Sequence, residues 1–427
     1  MKMPLNAKRL KSIIGGSAGN LVEWYDFYAY AALSIYFAPV FFPKDDPTAQ
    51  LLSTAAIFAV GFLMRPIGAW IMGIYGDRHG RKAGLALSVG LMFAGSLMIA
   101  AAPTHAQAGA LAPAILVIAR LLQGLSVGGE YGASATYLSE MATRERRGFW
   151  ASFQYVTLVG GQLCALGVVL VLQMFLDEAE LEAWGWRIPF ALGAVLALLV
   201  YVLRRKLAET ASFEAMSAEQ RNRSGALRLL KEHPREFAIV AAITAGGSLA
   251  FYAYTTYMQK FLVNTTGFDR QVATQVMTAA LFVYMLAQPL FGYLSDRFGR
   301  KPMLIAFGLG AMITTVPGYT LIAGAATPLA AFALIIGLLM ILSAYTSISG
   351  LVKAELFPVH IRTLGVALPY AVGNALFGGS AEYVALWFKN AGMESVFYWY
   401  VTGILAVATV GILMLPDTKK TSLIAED

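Results

Sequence analysis

The decapeptide GIYGDRHGRK at 73–82 returns at 292–301 as GYLSDRFGRK, with Gly, Asp, Arg, Gly, Arg and Lys in the same places and the copies 219 residues apart. Each copy follows one long apolar stretch and precedes another. A charged hairpin repeated at half-chain spacing between hydrophobic segments leaves few folds open: the chain is two copies of one membrane module. A second echo supports the duplication. Glu140, Arg147 and Tyr155 recur as Glu355, Arg362 and Tyr370, each shifted by 215, and small changes in loop length account for the different offset.

The sequence is 58% hydrophobic and 13% charged, about half the charge of an ordinary soluble chain. A span needs about 20 apolar residues. Stretches of that kind lie near 12–38, 51–75, 83–102, 111–139, 148–174, 186–204, 236–263, 271–294, 302–324, 327–356, 363–389 and 393–415. The expected fold is an all-α membrane protein of twelve transmembrane helices in two six-helix, pseudo-symmetric halves, 1–206 and 236–427, joined by a linker at 207–235. The basic residues 1–11 run straight into the first span, so no cleavable signal peptide is expected. One cysteine, Cys164, gives no disulfide framework, and the four histidines lack metal-ligand spacing. With no nucleophile triad and no phosphate loop either, neither an enzyme nor a cofactor is expected.

Lys and Arg collect on the cytoplasmic side of membrane proteins. With both termini placed there, about 24 of the 32 Lys and Arg fall on that side, including Lys2, both hairpins, Arg144, Arg146, Arg204 and the linker. Lys44, Arg187, Lys260, Arg270 and Lys389 fall outside, among the acids Asp45, Asp46, Asp177 and Glu178. The net charge of +7 is therefore a topology signal and not a nucleic-acid footprint. The polar linker reads as a tether, with 209–228 able to form an amphipathic helix on the inner surface.

The hairpins suggest a mechanical part. Gly73 and Gly292 allow close helix approach, and Gly80 and Gly299 suit the turn. Asp77 and Asp296 can pair with a neighbouring Arg or sit at a facing helix amino terminus. Arg81 and Arg300 can reach Glu140 or Glu355. Together with Arg78, Arg297, Arg147 and Arg362, these residues form a candidate cytoplasmic gate; the plainer alternative is a set of ordinary positive-inside residues.

Ionisable residues deep within spans are costly and usually face a polar cavity. Span one carries Glu23 and Asp26, span two Arg65, and span four Arg120 and Glu130. Lys353, near the inner end of span ten, could pair in the gate or reach the interface. Arg65 lies about 18 Å up its helix from Asp77. Arginine stays charged and matches carboxylates with a planar fork, so Arg65 and Arg120 are candidate ligands for an anionic substrate. Asp26 or Glu23 opposite Arg120, and in third place Glu130, are candidates to exchange a proton; a permanent ion pair is the other reading. Tyr28, Gln162, Tyr254, Tyr370 and Asn374 are candidate neutral partners along the lumen, as are Gln154, Tyr155 and Tyr257.

These residues carry a resemblance. The Gly-x-x-x-Asp-Arg-x-Gly-Arg-Lys hairpin at Gly73 and Gly292 resembles the hallmark loop of the major facilitator superfamily, and Arg120-Leu-Leu-Gln-Gly124 its fourth-span motif. The resemblance implies that Arg120 and Asp26 are linked in proton coupling, with Glu23 an extra acid. The runs GNLVEWYDFY, RPIGAW and VGGEYG resemble the metabolite:proton symporters, whose members carry α-ketoglutarate, citrate, shikimate or proline and betaine. ASFQYVTL and GGSAEYVAL point to α-ketoglutarate within that set. The implied protein is a monomeric bacterial inner-membrane symporter with a small anionic substrate and a proton as its partners. A dianion moved inward alone costs about 4.6 kcal/mol per 100 mV, so proton coupling is what such an import requires. A carrier of zwitterions on the same framework, or a receptor that has lost transport, are the competing expectations.

Overall fold

The computed structural model describes residues 7–42, 47–205, 209–217, 219 and 225–424. Lys2, Lys44, Asp45 and Asp46, and part of the linker, lie outside the described residues. No strand occurs among the described residues; a helix satisfies its own backbone polar groups, which hydrocarbon requires. Among the described residues twelve long helices carry the chain. In the first half they are α1 Ala7–Phe41, α2 Pro47–His79, α3 Arg81–Ala100, α4 Leu111–Met141, α5 Arg144–Phe175 and α6 Arg187–Arg204. In the second they are α7 Pro234–Asn264, α8 Arg270–Phe298, α9 Arg300–Ala323, α10 Pro328–Leu356, α11 and α12 Glu394–Met414. Helix α11 runs from Arg362–Gly373 through a wide turn, Asn374–Gly378, into Ala381–Asn390.

Nine of these, all but α1, α2 and α11, are long and apolar enough to cross a membrane among the described residues. Leu63, Trp70, Phe175, Leu199, Phe282, Ile313 and Val410 are exposed on the outer surface, an apolar belt that water would not tolerate and lipid does.

Within the first half the main packing is α2 on α4, α3 on α4 and α6, and α1 on α5; in the second it is α12 on α7 and α9, and α10 on α8 and α9. The halves meet where α11 packs on α2 and α4 and where α8 packs on α5. Small residues set the crossing of α2 and α4. A Cβ on Gly128 would stand 2.9 Å from the Arg65 Cα, and one on Gly68 2.7 Å from the Leu125 Cα, so α4 can lie flat on α2 and hold Arg65 inside.

Gly80 and Gly299 join α2 to α3 and α8 to α9 with φ of 110° and 103°, a conformation that favours glycine. The linker departs from the expected single amphipathic helix. Among the described residues, Ala211–Glu214 and Ala226–Glu232 are short helices and residues 215–217 are non-helical. Just before the first of them, the Glu209 carboxylate accepts from the backbone N–H groups of Arg81 (3.1 Å) and Lys82 (3.2 Å), capping α3. Asp417 does the same for α9, accepting from the Arg300 N–H at 3.2 Å. Linker and tail thus tie down the two hairpins in matching ways.

Candidate functional site

Buried charge lies in two layers: one between the halves at the hairpin end, the other deeper, within the first half and at its junction with the second. Asp77 accepts from the N–H groups of Thr363 (3.3 Å) and Leu364 (3.2 Å) at the start of α11. Asp296 accepts from those of Gly148 (2.8 Å) and Phe149 (2.9 Å) on α5. Each acid ends a helix of one half and caps a helix of the other, where free N–H groups and the helix dipole favour negative charge. Arg81 pairs with Asp77 at 2.9 Å and Arg300 with Asp296 at 2.8 Å. Glu140 pairs with Arg362 across the halves at 2.6 Å and lies 3.7 Å from Arg81. In the mirror position Glu355 lies 3.8 Å from Arg300, within electrostatic reach of Arg147, and accepts from Thr418 at 2.5 Å. Glycine permits the approach: a Cβ on Gly73 would stand 3.0 Å from the Leu364 Cα, and one on Gly292 2.9 Å from the Gly148 carbonyl carbon. Arg78 and Arg297 depart from the expected gate. Both are exposed, because the glycine turn aims Arg81 and Arg300 inward and leaves the residue after each Asp facing out.

The second layer begins with the first-half acids. Tyr25 donates to the Pro189 carbonyl on α6 at 2.9 Å, and Asn20 to the Gln154 carbonyl on α5 at 2.7 Å; these bonds turn Glu23 and Asp26 toward α3 and α4. Glu23 accepts from Ser88 (2.9 Å) and Ser126 (2.5 Å), and Ser88 also lies 2.7 Å from Glu130. A hydroxyl has one proton to give, so Ser88 can donate to both carboxyls only in turn; a proton on one of them completes the set. Glu130 is engaged by Arg204, whose Nη1 donates at 2.8 Å. Arg204 stands in the last turn of α6, where the sequence reads it as one more positive-inside residue, yet it is buried and turns inward.

Asp26 is fully buried and is bonded by Ser96 and by the Gln123 side-chain nitrogen. Arg120 donates to the Gln123 side-chain oxygen Oε1 at 2.8 Å. The expected face-to-face contact of Asp26 and Arg120 is therefore bridged: Gln123, the fourth residue of the Arg-Leu-Leu-Gln-Gly run, stands between them because it lies one turn along α4 from Arg120. The Arg120 guanidinium sits 4.4 Å from the Tyr30 ring centroid and 5.1 Å from that of Phe27.

Arg65 is 1% exposed, with its guanidinium over Phe62 (3.8 Å), Phe27 (4.6 Å) and Trp24 (5.6 Å). Its Nη1 meets the Tyr252 hydroxyl of the other half at 3.5 Å, while Nε and Nη2 have no hydrogen-bond partner among the described residues. No carboxylate pairs with it among those residues. Tyr28 and Tyr370 lie within its electrostatic reach. The buried Asn374 amide has neither atom bonded among the described residues, and Gly378 packs between it and Tyr252. Tyr252, absent from the sequence-based candidates, replaces Tyr254. A π-turn at Ala253–Tyr257 shifts the register of α7, and Tyr254 is turned into the second half, bonded to Thr315 at 2.5 Å. Tyr257 is likewise directed to Glu394, 3.4 Å away. Gln162 is buried on α5 with its carbonyl oxygen unbonded among the described residues, whereas Gln154 donates to the Tyr131 carbonyl at 3.3 Å.

Lys353 neither pairs in the gate nor reaches an interface. It is 2% exposed and donates to Ser349 (2.8 Å), Tyr131 (3.0 Å) and Tyr345 (3.4 Å). Tyr155 lies in the same tyrosine cluster, within electrostatic reach of Tyr131 and Tyr370.

Known proteins resemble this chain along its whole length. The family model for sugar (and other) transporters matches residues 12–235 and 209–427. The alpha-ketoglutarate permease of Escherichia coli (strain K12) is 56% identical over 96% of this chain and 94% of its own. The citrate-proton symporter of Klebsiella pneumoniae is 33% identical, covering 93% and 91%. The proline/betaine transporter of E. coli is 29% identical, covering 98% and 85%. Among solved structures, the major facilitator superfamily proton:xylose symporter XylE bound to 6-bromo-6-deoxy-D-glucose superposes with a TM-score of 0.83 at 19% identity, over 98% of both chains. The partially occluded inward-open conformation of XylE from E. coli gives 0.74 over 97% and 99%.

Proposed function

We propose that this chain, which belongs to the sugar (and other) transporter family, is a proton-coupled symporter importing a small dicarboxylate, with α-ketoglutarate the first substrate. Likeness to the alpha-ketoglutarate permease over nearly the whole chain supports the substrate. The observation that carries the chemistry is Arg65: a buried cation at the junction of the halves, seated on ring faces and bonded to a neutral tyrosine. An incoming carboxylate supplies the counter-charge and the planar acceptor that its two unbonded nitrogens lack. Tyr28, Tyr252, Tyr370 and Asn374 surround that place with neutral hydrogen-bonding groups. Arg120 acts one step away, through Gln123 on Asp26.

Asp26 and Glu23 carry the coupling proton. Each is a buried carboxyl held by hydroxyl or amide groups, so gaining or losing a proton remakes its local bonds. Glu130 is assigned to Arg204 and holds α6 to α4. The hairpin face is the cytoplasmic one, with both termini there, supported by the concentration of Lys and Arg; the membrane is the bacterial inner membrane, and one chain forms the whole path. Asp77, Arg81, Glu140, Arg147, Asp296, Arg300, Glu355 and Arg362 form the cytoplasmic gate. Opening it means withdrawing Asp77 from α11 and Asp296 from α5, so the two halves part there as rigid bodies. Two protons cancel the charge of a dianion and a third makes import electrogenic.

A zwitterion carrier would need Glu23 and Glu130 free to bind a cationic group. Their engagement with Ser88, Ser126 and Arg204 favours the anion. The test is uptake of labelled α-ketoglutarate into proteoliposomes under an imposed proton gradient, challenged with excess unlabelled α-ketoglutarate, citrate and betaine. The expected result is proton-driven uptake suppressed by α-ketoglutarate and unaffected by betaine. Uptake that excess unlabelled α-ketoglutarate leaves untouched, or that betaine suppresses best, would sink the assignment.

A further inference from the structure

Lys353 takes part in neither the gate nor the proton-carrying sites, and its surroundings are unusual for a buried lysine. Among the described residues no carboxylate pairs with it. Its ammonium instead lies 4.6 Å from the Tyr370 ring centroid and 5.0 Å from that of Tyr131, and its three protons go to neutral hydroxyls. Such a charge in a membrane interior is expensive, and ring faces offset only part of the cost. Gate residues nearby show the alternative this chain uses where a charge is structural: Glu355, two positions along the same helix, is set against Arg300.

The arrangement repeats that of Arg65. Both cations are almost fully buried, both rest on aromatic rings and neither has a carboxylate partner among the described residues. They belong to opposite halves and converge on one residue. Arg65 lies about 12 Å along α2 from Gly73, and Tyr370 about 9 Å along α11 from Leu364, the residue that Gly73 touches. Arg65 and Tyr370 therefore stand at nearly the same depth. Lys353 extends back toward its helix's amino terminus to Ser349 and meets the same Tyr370 ring. Tyr370 in turn stacks on Tyr131 of the first half, centroids 3.4 Å apart and nearly parallel.

We infer that Lys353 is the second cation of the substrate site: a dicarboxylate places one carboxylate on Arg65 and the other on Lys353, bridging the two halves beside Tyr370. Tyr131 and Tyr345 hold the ammonium in place until the dianion arrives. The inference rests on the dicarboxylate reading above and sharpens it, because a monocarboxylate would satisfy only one of the two cations. It also gives the substrate a mechanical part, since a ligand tied to both halves can draw them together.

The test is equilibrium binding of α-ketoglutarate and of 2-oxopentanoate, which lacks the distal carboxylate, to purified wild type, K353Q, K353R and R65Q. Losing one buried charge partner lowers affinity by about ten-fold or more. The dianion is expected to lose that much in both K353Q and R65Q, with K353R keeping most of its affinity. The monocarboxylate is expected to weaken in only one of the two glutamine variants, and that variant identifies which cation takes the keto-acid end. A wild type that prefers α-ketoglutarate, with K353Q unchanged, overturns the role of Lys353 and leaves the dicarboxylate reading standing. Weakening of both ligands in both glutamine variants shows that Lys353 supports the fold only and also overturns it. A wild type that binds 2-oxopentanoate as tightly as α-ketoglutarate overturns both readings together.

Discussion

Asp77, Arg81, Glu140 and Arg362 at the hairpin face form a set in which each charge meets an opposite one or a helix terminus, whereas Arg65, farther along α2, meets ring faces and a tyrosine hydroxyl. The difference separates two uses of buried charge. A self-satisfied cluster is a latch: it is complete without a ligand and must be broken for the halves to part. A cation without a carboxylate is a vacancy in the electrostatics that an anion from outside completes. The latch is drawn from both halves in matching positions, Asp77 with Asp296 and Glu140 with Glu355. The acids Glu23, Asp26 and Glu130 are packed inside the first half alone.

Removing the unpaired charge should do most damage to transport. R65Q is expected to lower α-ketoglutarate uptake by about a hundred-fold, in line with loss of a buried charge partner, while leaving the latch closed. Unchanged uptake in proteoliposomes would remove Arg65 from the site. A smaller effect is expected at the latch. E140Q leaves Arg362 and Arg81 facing each other without their shared acid, which favours the open face by about ten-fold or more. Alkylation of a single cysteine placed at Ser139, in a background with Cys164 replaced by Ser, reads this as faster labelling, and E140R combined with R362E should return it toward the starting rate. Labelling that stays slow in E140Q would show that the pair carries no gating energy.

The smallest expected effect is at Glu209. Burial raises its carboxyl above the ordinary value of 4.5, partly offset by the N–H groups of Thr210, Lys82 and Arg81. The folded protein therefore binds this proton more tightly than the unfolded chain. Its contribution is fully present below about 4.5 and is lost as pH rises through the raised value. The melting temperature of the wild type relative to E209Q should accordingly fall by a small amount as pH rises from below 4.5 to neutrality. A difference that is flat with pH would mean that Glu209 feels no burial.

Much of this was legible in the sequence, for physical reasons that also mark its limits. Lipid forces long apolar helices, so the spans could be placed to within a few residues, and duplication announced the halves through Asp77 and Asp296. Depth was legible too: an Arg or Asp inside an apolar run must be explained. Partner choice was not, because it depends on side-chain direction across helices. Arg204 read as one more basic residue at a helix end, yet it turns inward to Glu130. Gln123 lay within a quoted motif, but only the fold puts it between Arg120 and Asp26. The π-turn at Ala253–Tyr257 leaves no period in the sequence, so Tyr254 was chosen where Tyr252 makes the contact. Lys353 looked like a gate or interface residue because its position near the helix end was visible and its upward reach was not.

A dicarboxylate that enters with protons must carry those protons across with it. The direct measurement is internal pH in proteoliposomes carrying a trapped pH dye, with labelled α-ketoglutarate added outside at zero initial gradient. Wild type should acidify inside as label enters, whereas D26N should exchange label with internal α-ketoglutarate and show neither acidification nor proton-driven accumulation. Entry of label with no acidification in the wild type, or full proton-driven accumulation in D26N, would contradict the account.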